Sequence, residues 1–119
     1  ACVPCGFNLS TRDYARFGLM IEQGGRWQGH QIVPEDWIIA STQASAPTAA
    51  GAIGYGYQWW IPEGASDGEF MARGIYGQYI YIDRARGVVI ATNAADRKFR
   101  EPGVSAQNIA IFRDIAQSL

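Results

Sequence analysis

The chain has 119 residues, of which 48% are hydrophobic and 18% charged, and its formal net charge is −1. That length suits one small domain or part of a larger one, and the composition is that of an ordinary globular protein. No basic run exceeds two residues and no apolar run approaches the roughly 18 residues of a membrane span, so neither nucleic acid nor membrane is expected as a partner.

The opening Ala1-Cys2-Val3-Pro4-Cys5-Gly6 has no basic segment and no apolar core, unlike a signal peptide. The absence of an initiator Met fits processing or a longer parent chain. Cys2-x-x-Cys5 has the spacing of half a zinc site, but the one histidine, His30, lies far away in sequence. The pair also opens the chain, where a redox motif would come after a strand. It reads as two thiols in a loop, no cofactor is expected, and the compartment stays open.

The first predicted element is a helix. Ser10 serves as N-cap with acidic Asp13 three places on, facing the exposed amides and the positive dipole end. Tyr14, Phe17, Gly18 and Ile21 recur at i, i+3, i+4 and i+7, an apolar stripe, and Gly24-Gly25 supplies a left-handed stop. Gly18 inside the stripe suggests close approach of another element. Residues 26–33 form a turn with a short extended piece. Pro34 then opens a second helix to about Thr42, and a loop spans 43–54.

Strands are predicted at Tyr55 to Ile61, Glu69 to Arg73, Gln78 to Asp83 and Gly87 to Asn93, the last two joined by the turn Arg84-Ala85-Arg86. A final helix runs from Val104 to Leu119, with Ile109, Phe112, Ala116 and Leu119 on one face. The fold class is therefore α+β: an antiparallel sheet of about three or four strands flanked by helices. Tyr79 and Tyr81 alternate with Ile80 and Ile82, and Val88 and Ile90 with Val89 and Ala91. Both faces of these strands are apolar, so both need covers. The final helix can cover one; the first two helices look too modest for the other, which suggests missing partner surface.

Few constellations carry chemistry. Gly64-Ala65-Ser66-Asp67-Gly68 matches a nucleophile elbow in letters, but a strand rather than a helix comes next, and the one histidine precedes it. A Gly-rich turn explains it better. No Ser-x-x-Lys exists among the six serines, and Lys98 is the one lysine. Asp13 and Glu35 are first-turn helix residues, and His30 belongs to a polar turn. In Ala72-Arg73-Gly74-Ile75-Tyr76-Gly77-Gln78, two glycines three apart lead into an aromatic-rich strand. Such a segment either brings a backbone amide close to a ligand or forms a bulge or tight hairpin.

These residues resemble a known family. Gly6-x-x-x-Ser10-x-x-Asp13-Tyr14-Ala15-Arg16-Phe17-Gly18, Gly25-x-Trp27-x-Gly29-x-x-Ile32-Val33-Pro34-x-x-Trp37, Tyr55-Gly56-Tyr57-x-Trp59-Trp60 and Gly74-x-x-Gly77-Gln78 occur in the order found in β-lactamase-like (penicillin-recognising) serine hydrolases. The resemblance is nearest to the esterases and 6-aminohexanoate-dimer hydrolase, and it covers nearly the whole chain. It implies the C-terminal part of the α/β region of such an enzyme. The Ser-x-x-Lys nucleophile and base, and a Tyr-x-Asn-like second motif, would lie upstream.

The family's third motif, Lys/His-Thr-Gly, falls on Ala72-Arg73-Gly74. The resemblance implies an oxyanion-hole amide at Ile75, with Gly74 admitting the backbone to the substrate and Arg73, Tyr76 and Trp59 lining the pocket. Ala72, in place of Lys or His, argues for a small ester or amide substrate rather than a penicillin. Hydrolysis would pass through an acyl-enzyme, and the chain alone would be inactive. The expected partner is the missing N-terminal half or a second copy of the chain. A non-catalytic module that binds or self-associates is the alternative.

Overall fold

The computed structural model describes residues 8–49 and 51–119. Cys2 and Cys5 lie outside the described residues. In chain order the elements are α1 (Thr11–Glu22), β1 (Arg26–Trp27), β2 (His30–Gln31), α2 (Glu35–Ser41), β3 (Gly54–Tyr55), β4 (Trp60–Ile61), β5 (Glu69–Arg73), β6 (Tyr79–Asp83), β7 (Val88–Thr92) and α3 (Val104–Ser118). The architecture is α+β. A five-stranded antiparallel sheet runs β3-β4-β5-β6-β7, and β1 and β2 form a separate two-stranded ribbon. Among the described residues no helix is long and apolar enough to cross a membrane.

The sheet has one strand more than expected because the aromatic stretch 55–61 folds back on itself. Gly56 N–H donates to the Trp59 carbonyl at 2.8 Å, and Gln58 takes a left-handed φ of 68°. Tyr55 therefore pairs with Trp60 across a hairpin instead of continuing into it.

Helix α1 begins and ends as its sequence suggests. The Ser10 hydroxyl accepts from Asp13 N–H at 3.2 Å. Asp13 also receives Arg16 at 2.7 Å, and this bond, with that from Ser10, holds the Asp13 carboxyl below its ordinary range. At the other end Gly25 N–H donates to the Met20 carbonyl and Gly24 N–H to the Ile21 carbonyl, with Gly24 at φ 73°. This is a Schellman stop, and glycine adopts its left-handed turn without steric cost.

Two apolar clusters sandwich the sheet. On one face α3 places Ile109, Phe112 and Ala116 against Met71, Tyr79, Tyr81 and Val88. On the other, Ile21 of α1 and Ile38 of α2 meet Phe70, Ile80 and Ile82, flanked by Tyr14, Phe17 and Val89. Gly18 makes this close approach possible: a Cβ there would stand 2.6 Å from Val89 Cγ1 and 2.8 Å from Ile80 Cγ2. The second face is thus covered by α1 and α2, contrary to the expectation that they would not suffice. The two-faced apolar pattern of β6 and β7 does not by itself call for another chain. Leu119 also departs from expectation: it lies beyond the last helical residue and is 85% exposed, so it does not share the buried face.

Candidate active site

Strands β5 and β6 form a hairpin in register from Glu69 opposite Asp83 to Arg73 opposite Tyr79. Its tip is the segment Gly74 to Gln78. Ile75–Gly77 is a single 3₁₀ turn rather than the start of a strand. Gly74 N–H donates to the Gln78 carbonyl at 2.8 Å and closes the turn. Tyr76 and Gly77 both lie at positive φ, 67° and 89°. A left-handed tyrosine costs about 1–2 kcal/mol and persists only where its surroundings hold it.

Those surroundings grip the turn by its carbonyls. The Tyr76 carbonyl accepts from Asp96 N–H at 2.9 Å, and the Gly77 carbonyl accepts from Thr92 Oγ1 at 3.2 Å. The Gln78 amide reaches the Ala94 carbonyl at 3.4 Å, and the Tyr76 ring meets Phe99 edge-on with centroids 5.2 Å apart. The turn and the segment after β7 therefore form one packed unit. The Ile75 N–H, in contrast, donates to no acceptor among the described residues, and Ile75 is 56% exposed. A backbone amide without an internal acceptor, on a pinned turn, can meet a developing negative charge without reorganising.

The expected site residues separate into two groups. Gly74, Ile75 and Tyr76 stand together at the tip, with Tyr76 48% exposed. Arg73 and Trp59 belong to opposite faces of the sheet. Arg73 lies on the α3 side, its guanidinium 4.4 Å from the Trp60 ring and 3.2 Å from Ser105 Oγ. Trp59 packs on the α1 side, stacked on Phe17 and edge-on to Phe70 at 5.2 Å. Trp60 pairs with Met71 and so shares the face of Arg73, whereas Trp59, the residue just before β4, turns to the other face.

The other sequence candidates fall at the surface or into packing. His30 is exposed on β2. Glu35 opens α2 and pairs with Arg84 at 3.2 Å, while Arg84 Nε also donates to the Glu22 carbonyl at the end of α1. Ser66 Oγ lies 3.4 Å from Glu69 Oε2, and that oxygen also accepts from Ser66 N–H. Among the described residues no group of three His, Cys, Asp or Glu side chains is placed to hold a metal.

Sequence reasoning missed a polar network at the far end of the same hairpin. Glu69 is buried and accepts from Arg113 Nε at 2.6 Å and from the Tyr81 hydroxyl at 3.1 Å. Arg113 also reaches the Glu63 carbonyl at 2.9 Å, and the Glu69 carboxylate raises its pKa. Burial, reinforced by Glu69, pushes the Tyr81 phenol well above its ordinary range. Asp83, almost wholly buried, pairs with Arg86 at 2.8 Å. The available signal was alternation: Glu69 and Asp83 occupy inward positions on the same face as Met71 and Tyr81, where a carboxylate needs a partner.

No family model matches the chain. It is 31% identical over 94 residues to the 6-aminohexanoate-dimer hydrolase of Paenarthrobacter ureafaciens, spanning 71% of this chain and 24% of that protein. A solved structure provisionally named a 6-aminohexanoate-dimer hydrolase, from Bacillus anthracis, superimposes with a TM-score of 0.80 at 32% identity. That match covers 95% of this chain and 30% of the other. The resemblance drawn from the motifs is thereby supported by sequence and by fold. The chain is similar to 6-aminohexanoate-dimer hydrolases, which are part of the β-lactamase-like superfamily, and it spans 24% and 30% of the length of these two relatives.

Proposed function

We propose that these residues form the C-terminal part of a serine hydrolase that cleaves ester or amide bonds through an acyl-enzyme. The nucleophilic serine and its base would come from the remainder of the protein. Attack of the serine oxygen on the substrate carbonyl carbon places negative charge on the former carbonyl oxygen. In this reading the Ile75 N–H donates a hydrogen bond to that oxygen. Collapse of the intermediate expels the alcohol or amine, and water then hydrolyses the acyl-enzyme. The observation that carries the proposal is that the Ile75 N–H has no acceptor among the described residues and belongs to an exposed residue on a turn fixed through its carbonyls.

Gly74, without a side chain, would let substrate approach the amide, and Tyr76 would line the pocket beside it. Arg73 and Trp59 would contribute less directly, by fixing the end of β5 and the adjoining hairpin against Trp60 and Phe70. The remainder of the protein would be the partner of this segment.

Replacing the 74–75 amide by an ester linkage in the complete hydrolase removes only the N–H. The expected result is a fall in kcat of about 10²–10³ with unchanged folding. Ile75→Ala, which keeps the amide, should change kcat little. Full activity in the ester-linked enzyme would exclude Ile75 as the donor. The isolated chain should not hydrolyse p-nitrophenyl esters above background; an acyl-enzyme formed at Ser66 would overturn the assignment of the nucleophile elsewhere.

A further inference from the structure

The hydrogen bonds that hold the 75–77 turn differ in what stands behind them. Asp96 N–H meets the Tyr76 carbonyl at 2.9 Å, but Asp96 belongs to the segment after β7, which is ordered locally by Lys98 N–H donating to the Asp96 carboxylate at 2.8 Å. The Gln78 amide reaches the Ala94 carbonyl at 3.4 Å, close to the limit of a hydrogen bond, and this contact is exposed. Thr92 is placed differently. It is the last residue of β7 and lies opposite Tyr79, which is buried in the sheet. Its hydroxyl donates to the Gly77 carbonyl at 3.2 Å and so ties the turn to the sheet itself, where the other two bonds tie it to a loop.

Both ends of the turn are also closed. Arg73 pairs with Tyr79, and Gly74 N–H donates to the Gln78 carbonyl at 2.8 Å. The freedom left to residues 74–78 is a tilt about those ends, and a bond to the Gly77 carbonyl opposes it. The Ile75 N–H lies two residues earlier in the same 3₁₀ turn, so any tilt re-aims it. Tyr76, at φ 67°, stores backbone strain that a released turn sheds by moving.

We propose, on the reading that the Ile75 N–H is the oxyanion donor, that Thr92 is a positioning residue of the oxyanion hole. Through the Gly77 carbonyl its hydroxyl fixes the tilt of the turn and with it the direction of the Ile75 N–H. Thr92 acts on neither the substrate nor the reacting atoms directly. Its effect falls on the transition state, where charge on the oxygen makes the donor's direction count, because a hydrogen bond weakens steeply as it bends. Complete loss of the donor, about 10²–10³ in kcat, is the upper bound, and a mis-aimed donor costs less.

The test uses the complete hydrolase. Thr92→Val removes the hydroxyl and keeps the β-branched shape, while Thr92→Ser keeps a hydroxyl. Thr92→Val should lower kcat about tenfold and leave KM within about twofold, and Thr92→Ser should recover most of the loss. Thr92→Ala also lacks the hydroxyl and gives the same reading if the valine variant does not fold. Thr92→Val is then repeated in the enzyme with an ester linkage at 74–75, which has no N–H to aim. There it should change kcat by less than about twofold, since the two changes act through one group. An equal fall in both backgrounds, or a loss that serine does not restore, would overturn the proposal. If the ester linkage lowers kcat while Thr92→Val does not, this inference fails and Ile75 stands as the donor. If the ester linkage alone leaves kcat unchanged, the underlying reading fails and this inference with it.

Discussion

Gly18 offers a sharp test of how α1 is seated. Gly to Ala in a helix interior normally stabilises by about 0.5–1 kcal/mol, since alanine loses less backbone freedom on folding. Here the added Cβ would stand 2.6 Å from Val89 Cγ1 and 2.8 Å from Ile80 Cγ2. Both neighbours are β-branched, with few rotamers to retreat into, and both belong to adjacent strands of the main sheet. Overpacking of this kind costs typically 1–3 kcal/mol. The steric term wins, and Gly18→Ala should destabilise by about 1–2 kcal/mol net. That is roughly 4 °C in Tm per kcal/mol for a domain of this size. Val89→Ala should be destabilising alone, yet in the double variant it should offset part of the Gly18→Ala cost, because it removes the closest methyl. Urea titration monitored by far-UV circular dichroism and tryptophan fluorescence measures all three. A higher midpoint for Gly18→Ala than for wild type would refute the seating of α1 on β6 and β7.

Two further predictions concern the Glu69 network. Glu69→Gln should cost about 1–2 kcal/mol, by turning charge-assisted hydrogen bonds into neutral ones. Arg113→Met should cost about 3 kcal/mol, the low end for a stranded buried carboxylate, because the Arg113 side chain is 31% exposed while that of Glu69 is 5% exposed. Combining them should recover part of the sum, and strict additivity in a double-mutant cycle would show that the pair is not coupled. The raised Tyr81 phenol sets an alkaline limit. Above pH about 10 the unfolded state loses the phenolic proton and the native state keeps it, so unfolding releases a proton and stability falls as pH rises. Chemical denaturation between pH 8 and 11 should show this slope, and Tyr81→Phe should flatten it; an unchanged slope in that variant would assign it to another group.

How much was legible depends on how local each signal is. Ser10, Gly24 and Gly25 act within a few residues of themselves, and the ends of α1 come directly from them. The same holds for the Val88–Thr92 strand, an unbroken apolar and β-branched run set off by Gly87 and Asn93. The hairpin within 55–61 was hidden because its aromatic residues favour strand throughout, while the reversal depends on Gln58 adopting a left-handed φ. Coverage of the second face was hidden for another reason. A helix with one glycine in its stripe looks weak alone, and its strength comes from contact with strands more than sixty residues later. At the candidate site, the glycines marked the segment, but the contacts that fix the turn come from Thr92, Ala94, Asp96 and Phe99, which no motif joins to it.

The placement of α1 also sets an order of events during synthesis. Gly18 is made 62 residues before Ile80 and 71 before Val89, the two residues it packs against. At translation rates of about 5–20 residues per second, that interval lasts roughly 3–14 s. A 12-residue helix is marginal in water without a surface to pack on. For those seconds Tyr14, Phe17 and Ile21 have no sheet to cover them, and the segment is exposed to chaperones or to premature collapse. Helix α1, made before every strand of the main sheet, is therefore secured only once β6 and β7 exist, and the β6–β7 hairpin acts as the template that completes it.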